Sequence, residues 1–267
     1  MDLYEAEYIV NTVTPIDDFS VAEFASGGVS HRVYRKGAGP DVLLMHELPG
    51  MTPQFIGLAR TIAEAGLTVH LPLFFGEPGE RSTVLFLARL CISREFCLFA
   101  QRGGSPIVDW LRAYGREIFA KNGGKGIGVI GLCLTGNFAI TLLADTFTLA
   151  PVAGEPSLPF GITAAARASM AVSDDDLARA QARNKAGVPL MCLRFSNDSI
   201  SPPERFAAIA AAFAANFEGI VIPSPDAGWG IPANAHAVLT ENFSDADGHP
   251  TRHARDRVVA FLKERLG

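Results

Sequence analysis

Residues 126–143, Gly-Ile-Gly-Val-Ile-Gly-Leu-Cys-Leu-Thr-Gly-Asn-Phe-Ala-Ile-Thr-Leu-Leu, carry the strongest structural signal in this chain. The apolar, glycine-spaced segment 126–133 is short enough to be a buried strand, and a helix-compatible apolar pattern follows it directly. Glycines crowd such a strand-to-helix turn because the two backbones pass too close together for side chains. The stretch therefore predicts a nucleophile elbow, a sharp turn that holds the side chain of Cys133 clear of the sheet.

Strand and helix patterns alternate along the rest of the chain. Residues 20–26 and 29–35 flank Gly27-Gly28 and predict an antiparallel hairpin. After the hairpin, apolar strands are predicted over 42–45, 67–75, 188–195 and 219–222. Helices are predicted from Pro53 with Thr52 as the cap, around Asp109–Leu111, from Ser173, and from Pro202-Pro203 to about Ala215. A last helix is predicted at the C-terminus, with Val258, Phe261 and Leu262 on one face. The glycine- and proline-rich segment 151–172 receives no element.

This alternation predicts an α/β fold, in which a mainly parallel central sheet is covered by helices on both faces. The N-terminal antiparallel hairpin is expected at one edge of the sheet. No repeat, low-complexity tract or long linker divides the sequence, so we expect a single domain over residues 1–267.

Composition excludes several classes of protein. The 267 residues are 48% hydrophobic and 19% charged, which is enough to bury a sizeable core. The net charge of −5 argues against a non-specific nucleic-acid partner, because such proteins are normally basic. No apolar run reaches the roughly 18 residues of a membrane span, and the acidic start lacks a signal-peptide pattern. We expect a cytoplasmic protein with no membrane partner.

The four cysteines show neither CxxC pairing nor a cysteine–histidine spacing suited to zinc. A disulfide framework is not expected in a cytoplasmic chain of this length. Cys91, Cys97 and Cys192 are expected to be small buried hydrophobes. Cys133 differs from them because it lies at a strand–helix junction between two glycines.

A cysteine nucleophile requires a base, and the base requires a group that fixes its tautomer. In this architecture the partners follow in the order nucleophile, acid, histidine. Asp198 lies just past a predicted strand, where a simple turn residue is the alternative, and His236 lies in the loop after the last strand. His249 and His253 flank the start of the last helix and are expected to be capping or surface residues.

These residues resemble a known family. The segment 131–136, Gly-Leu-Cys-Leu-Thr-Gly, together with Asp198 and His236, resembles the Cys–Asp–His triad of the dienelactone hydrolase family within the α/β-hydrolase fold. The segment 46–50, His-Glu-Leu-Pro-Gly, is similar to the glutamate loop of that family. The resemblance runs from about residue 20 to the C-terminus.

The resemblance implies hydrolysis of a small-molecule ester or lactone through a thioester on Cys133, with neither a metal nor an organic cofactor. His236 would act as general base and then as acid, and Asp198 would orient it. The backbone N–H groups of Leu48 and Leu134 would form the oxyanion hole. Glu47 would lie against the resting thiol and control when the thiolate forms; the alternative is an acid bonded to its own loop.

Two residues depart from the family pattern. Thr135 stands where the family usually has glycine, two residues after the nucleophile. Thr240 stands where the dienelactone enzymes have an arginine for the substrate carboxylate, which makes dienelactone itself a doubtful substrate. A second family arginine corresponds loosely to Arg94, which could equally be a helix surface residue. A binding or regulatory protein with little turnover is therefore the alternative function. The sequence predicts neither the acyl group nor the oligomeric state.

Overall fold

The sheet of this protein contains eight strands in the part of the chain that the structure describes. The computed structural model describes residues 16–79, 106–158, 163 and 167–267. The strands are β1 Ser20–Ser26, β2 Val29–Lys36, β3 Asp41–Met45, β4 Thr68–Pro72, β5 Ile127–Leu132, β6 Thr148–Gly154, β7 Leu190–Phe195 and β8 Phe217–Ile222. They form one sheet in the order β1-β2-β4-β3-β5-β6-β7-β8.

The hairpin lies at one edge of the sheet, as predicted. Strands β1 and β2 pair antiparallel from Ser26 opposite Val29 outward, and Gly27 and Gly28 form the two-residue turn. Both glycines have positive φ, 59° and 81°, a conformation that glycine adopts without steric cost. Strand β2 also pairs antiparallel with β4, and the remaining described pairs, from β4 through to β8, are parallel.

Some of the described helices begin at a residue whose side chain caps them. The helices in the described residues are α1 Pro53–Glu64, α2 Pro106–Lys121, α3 Gly136–Leu142, α4 Asp174–Lys185, α5 Pro203–Ala212 and α6 Pro250–Leu266. Thr52 caps α1 by accepting the Phe55 N–H at 3.2 Å, and Ser173 caps α4 by accepting the Asp176 N–H at 3.2 Å. None of these helices is long and apolar enough to cross a membrane.

Helices cover both faces of the sheet. Alternate side chains of a strand point to opposite faces, so one strand contributes to a buried cluster on each side. In β3, Val42 and Leu44 pack in one buried cluster with residues of α1 and α6. Leu43 and Met45 pack in a second cluster with residues of α2 and α3. The predicted parallel sheet with helices on both faces is therefore confirmed.

Strand β6 was not predicted from the sequence. Residues 151–154, left without an element above, form the second half of β6, which lies between β5 and β7 in the sheet. Pro151 and Gly154 are residues that normally interrupt a strand, because proline removes a ladder N–H and glycine adds no packing. The other residues of β6 are largely buried from both sides, and this tertiary burial outweighs the local signal.

The turn at Cys133 depends on a glycine two residues before it. A Cβ atom built on Gly131 would lie 2.0 Å from the carbonyl oxygen of Thr135, so the strand and the following turn touch backbone to backbone. By contrast, Gly57 in α1 has no heavy atom within 4 Å of an added Cβ.

We predict opposite effects for the same substitution at these two glycines. Gly131→Ala forces the turn away from β5 and should lower the free energy of unfolding by about 3 kcal/mol or more. Gly57→Ala should raise it by up to about 1 kcal/mol, because alanine favours the helix. Urea unfolding of both variants checks this. Equal stabilities would show that the close contact at the elbow is not required.

Candidate active site

Cys133 lies at the carboxyl end of β5 in a strained backbone conformation. Its φ is 55°, in the left-handed region that a non-glycine residue seldom adopts. Residues 133–135 form a single 3-10 turn, and α3 begins directly after it. The side chain is only 8% exposed. Such strain persists where the surrounding structure enforces it, and it is common at catalytic residues.

Thr135, the first departure from the family pattern, is accommodated in this turn. Its hydroxyl accepts the N–H of Leu132 at 2.8 Å and lies 2.9 and 3.1 Å from the carbonyl oxygens of Leu132 and Met45. The side chain therefore joins the elbow to the end of β3. The absence of a Cβ atom at Gly131 leaves room for the Thr135 backbone, and the three hydrogen bonds hold the Thr135 side chain.

The acid and the histidine that the sequence singled out are hydrogen-bonded to each other. The Nδ1 atom of His236 lies 2.7 Å from Oδ2 of Asp198. The other carboxylate oxygen of Asp198 accepts the N–H groups of Ile200 and Ser201, at 2.9 and 3.1 Å. Because a carboxylate only accepts, His236 carries its proton on Nδ1, and Nε2 is left as the basic atom.

The loop of His236 holds this basic atom in a dry position. The side chain of Asn242 accepts the N–H of His236 at 2.9 Å, which fixes the loop. Nε2 is buried and faces Cys133, with which the imidazole interacts. Burial by itself would lower the pKa of His236, but the hydrogen bonds to Asp198 and Cys133 and the negative charge of an ionised Cys133 raise it to about 11. Both neighbours therefore favour the protonated imidazole.

The thiol of Cys133 contacts a residue that the sequence analysis did not identify. Its Sγ lies 2.9 Å from the hydroxyl of Ser157, and the Ser157 N–H donates to the Cys133 carbonyl at 3.1 Å. The amide of Asn137 donates to the Ser157 carbonyl at 2.8 Å. The segment after β6 therefore forms one wall of the site. Ser157 was missed because it lies in the segment that received no element.

Glu47 is buried after β3, where Thr240 donates a hydrogen bond to its carboxyl oxygen Oε1. Among the described residues, the carboxyl of Glu47 has no hydrogen bond to the thiol, whose partner is Ser157. Burial raises the pKa of Glu47 to about 7, against the hydrogen bond from Thr240 and the charge of His236. At the position where the dienelactone enzymes have an arginine, Thr240 is thus hydrogen-bonded to Glu47.

His46 anchors the Glu47 loop. Its Nε2 accepts the N–H of Phe74 at 3.1 Å, so Nδ1 carries the proton and donates to the Glu47 carbonyl at 2.9 Å. Complete burial lowers the pKa of His46 to about 4, which keeps the ring neutral. The loop after β3 is in this way tied to the segment after β4.

A second buried acid, Glu155, was also missed by the sequence analysis. It follows β6 directly and is completely buried, with Oε2 accepting the N–H of Val238 at 3.3 Å. The signal available in the sequence was an acid between Gly154 and Pro156 at the end of an apolar run.

Two buried arginines support the loops around the site through backbone carbonyls. Arg194 donates to the carbonyl oxygens of Ser201 and Asp198, at 2.9 and 3.2 Å. Arg205 donates to the carbonyl oxygens of Ser169 and Pro156, at 2.6 and 3.3 Å. These guanidinium groups therefore fix the loop of Asp198 and the segment that leads to Ser157.

The other predicted site residues have the following positions. Leu48 follows Glu47 after β3, and Leu134 follows Cys133 after β5; these strands pair in parallel, so both residues lie at the same edge of the sheet. Arg94 lies outside the described residues, as do Cys91 and Cys97. Cys192 is a free, completely buried thiol in β7. His249 caps α6 by accepting the Thr251 N–H, and His253 is exposed.

Comparison with known proteins identifies the fold. No protein-family model matches the chain, and no curated protein matches its sequence. One similar solved structure is a Klebsiella pneumoniae protein assigned as a dienelactone hydrolase, with a TM-score of 0.59 and 16% identity over 92% of this chain and 99% of that one. A Lactobacillus plantarum carboxylesterase has a TM-score of 0.56 and 13% identity over 92% of this chain and 97% of that one. A Coxiella burnetii α/β serine hydrolase homologue has a TM-score of 0.54 and 12% identity over 91% of this chain and 97% of that one. The chain has the α/β-hydrolase fold, as the resemblance implied.

We predict that Glu47 makes the stability of the protein depend on pH. The folded protein keeps the Glu47 proton up to about pH 7, whereas an unfolded chain loses it near 4.5, so stability falls as pH rises through this interval. In Glu47→Gln this loss is absent. The free energy of unfolding of the variant relative to wild type should rise by about 3 kcal/mol between pH 4.5 and pH 8.

Urea unfolding at both pH values measures this difference. Glu64→Gln, a matched substitution at an exposed position of α1, should show no comparable dependence. A Glu47→Gln difference that is the same at both pH values would contradict the burial of an ionising carboxyl at this position.

Proposed function

We propose that this protein is a cysteine-dependent α/β hydrolase that cleaves a small ester or lactone through a thioester intermediate. The proposal is carried by one observation: the elbow cysteine lies in a site whose histidine is oriented by a buried aspartate at 2.7 Å. This is the arrangement of nucleophile, base and orienting acid that acyl transfer requires. The esterase and hydrolase names of structural neighbours support the same reaction class.

In the first half of the reaction, Nε2 of His236 takes the proton of the Cys133 thiol, and the thiolate attacks the substrate carbonyl carbon. The tetrahedral intermediate collapses with cleavage of the carbon–oxygen bond. The protonated His236 gives its proton to the leaving alkoxide, or to the ring-opened hydroxyl of a lactone. The acyl group is then held as a thioester on Cys133, while Asp198 stabilises the imidazolium during the transfer.

In the second half, a water molecule attacks the thioester carbonyl while His236 accepts one of its protons. The second tetrahedral intermediate expels the Cys133 sulfur, which regains its proton from His236, and the carboxylic acid product leaves. The N–H groups of Leu134 and Leu48 would stabilise the oxyanion in both halves. Ser157, the hydrogen-bond partner of the thiol, would shield Cys133 from oxidation until substrate arrives, while Glu47 stays bonded to Thr240.

Removal of the nucleophile tests the mechanism. We expect Cys133→Ala to lower kcat/KM for short-chain aryl esters by at least about 10³-fold, because the thioester can no longer form. Cys192→Ala, which removes the buried cysteine of β7, is the matched control and should keep most of the activity. Initial rates of aryl ester hydrolysis, with thermal unfolding to verify folding, provide the measurement.

Full activity in Cys133→Ala would refute the proposed nucleophile. A wild-type protein inactive on esters and lactones, with a Cys133 that does not react with alkylating agents, would instead indicate a binding or regulatory protein. A panel of aryl esters, neutral lactones and carboxylated lactones separates these outcomes.

Thr240 leads to a prediction of substrate class. An arginine at this position would contribute a charge-assisted hydrogen bond to a substrate carboxylate, worth about 1.5–3 kcal/mol. Thr240 is instead bonded to Glu47, itself an acid. We therefore expect kcat/KM for a neutral lactone to exceed that for its carboxylated analogue by about 10-fold or more. A preference for the carboxylated lactone would contradict this assignment.

A further inference from the structure

Two glutamates flank the nucleophile from opposite sides of its strand. Strand β5 lies between β3 and β6, with Met45 opposite Gly131 and Gly154 opposite Leu132. Glu47 and Glu155 follow these two strands at the end of the sheet where Cys133 follows β5, and Glu155 interacts electrostatically with both Glu47 and Cys133. Glu47 belongs to the segment that resembles the glutamate loop of the family, whereas Glu155 has no role in the proposed reaction.

The surroundings of Glu155 make ionisation of its carboxyl group unfavourable. The residue is completely buried, and its oxygen Oε2 accepts one hydrogen bond, from Val238. Its oxygen Oε1 is buried and has no partner among the described residues. A carboxylate can accept about four hydrogen bonds, so its ionised form would be poorly compensated here. The residue is also held at a φ of 34°, with its N–H bonded to the Leu193 carbonyl at 2.8 Å.

The titratable groups that interact electrostatically with Glu155 include Glu47, Cys133, His236 and Cys192. Burial raises the pKa of Glu155 well above its usual value, and negative charge on Glu47 or Cys133 raises it further. Positive charge on His236 acts in the opposite direction. On β7, burial raises the pKa of Cys192, which keeps that thiol neutral. Ionisation of Glu155 is therefore linked to the charges of the site.

We propose that Glu155 is a positioning residue that acts electrostatically on Cys133, because its carboxylate and the Cys133 thiolate compete for the same small, dry space. The proposal rests on the proposed function only in taking Cys133 as the reactive group. When Glu155 loses its proton, a negative charge lies beside the nucleophile, and loss of the thiol proton to His236 or to water becomes less favourable. Glu155 thereby sets the pH range in which Cys133 reacts.

Alkylation of Cys133 with iodoacetamide tests this without any ester substrate. The rate is measured from pH 5 to pH 10 in wild type and Glu155→Gln, and the modified cysteine is identified by peptide mass spectrometry. We expect the midpoint of the profile to move to lower pH by about one unit or more in Glu155→Gln, because a nearby like charge is removed. Glu64→Gln, the exposed control, should leave the midpoint unchanged.

Coincident profiles of wild type and Glu155→Gln would overturn the proposal. Should Glu155→Gln fail to fold, infrared titration of the buried carboxyl in Glu47→Gln, with and without Cys133→Ser, provides the reciprocal measurement. The protonated carboxyl band should disappear at lower pH when Cys133 is replaced, and identical titrations would overturn the proposal. A shifted alkylation profile in a protein that hydrolyses no ester would refute the proposed function and leave this inference standing.

Discussion

The backbone contact at the elbow is the constraint on which the site depends. Because Gly131 has no side chain, the Thr135 carbonyl can approach β5 closely enough for the chain to turn at Cys133 and enter α3. Thr135 then joins this turn to the end of β3 through its hydroxyl. Cys133 therefore lies at the end of β5, between the ends of β3 and β6, and the loops after those two strands become the walls of the candidate site.

Burial of charge at this edge is the main cost of that arrangement. Two glutamates, a histidine and a cysteine occupy a region with little water, where unpaired charges are unfavourable. The structure compensates some of them directly: Asp198 bonds His236, and Thr240 bonds Glu47. Another group remains incompletely bonded: Oε1 of Glu155 has no hydrogen-bond partner among the described residues. Incomplete bonding of this kind is typical of sites in which protons move.

Most of the fold could be predicted because its signals are local. The hairpin glycines, the Thr52 and Ser173 caps and the glycines of the elbow each require a specific backbone conformation or contact, so the sequence identifies them. Strand β6 could not be predicted, because Pro151 locally disfavours a strand. Only the burial of β6 between two other strands offsets the effect of the proline. Glu155 was missed for the same reason, since a residue can be assigned to a strand end only once the strand is recognised.

The sequence by itself determined the α/β alternation and the strand–helix turn at Cys133, and it singled out Asp198 and His236 as partners, because each of these signals depends on spacing along the chain. Only the tertiary structure decided which groups contact one another. Thr240 meets Glu47 across 193 positions of the chain, and Ser157 meets Cys133 across 24. Such contacts follow from the order and register of parallel strands, which bring distant segments to one edge. Local sequence patterns carry no record of that register.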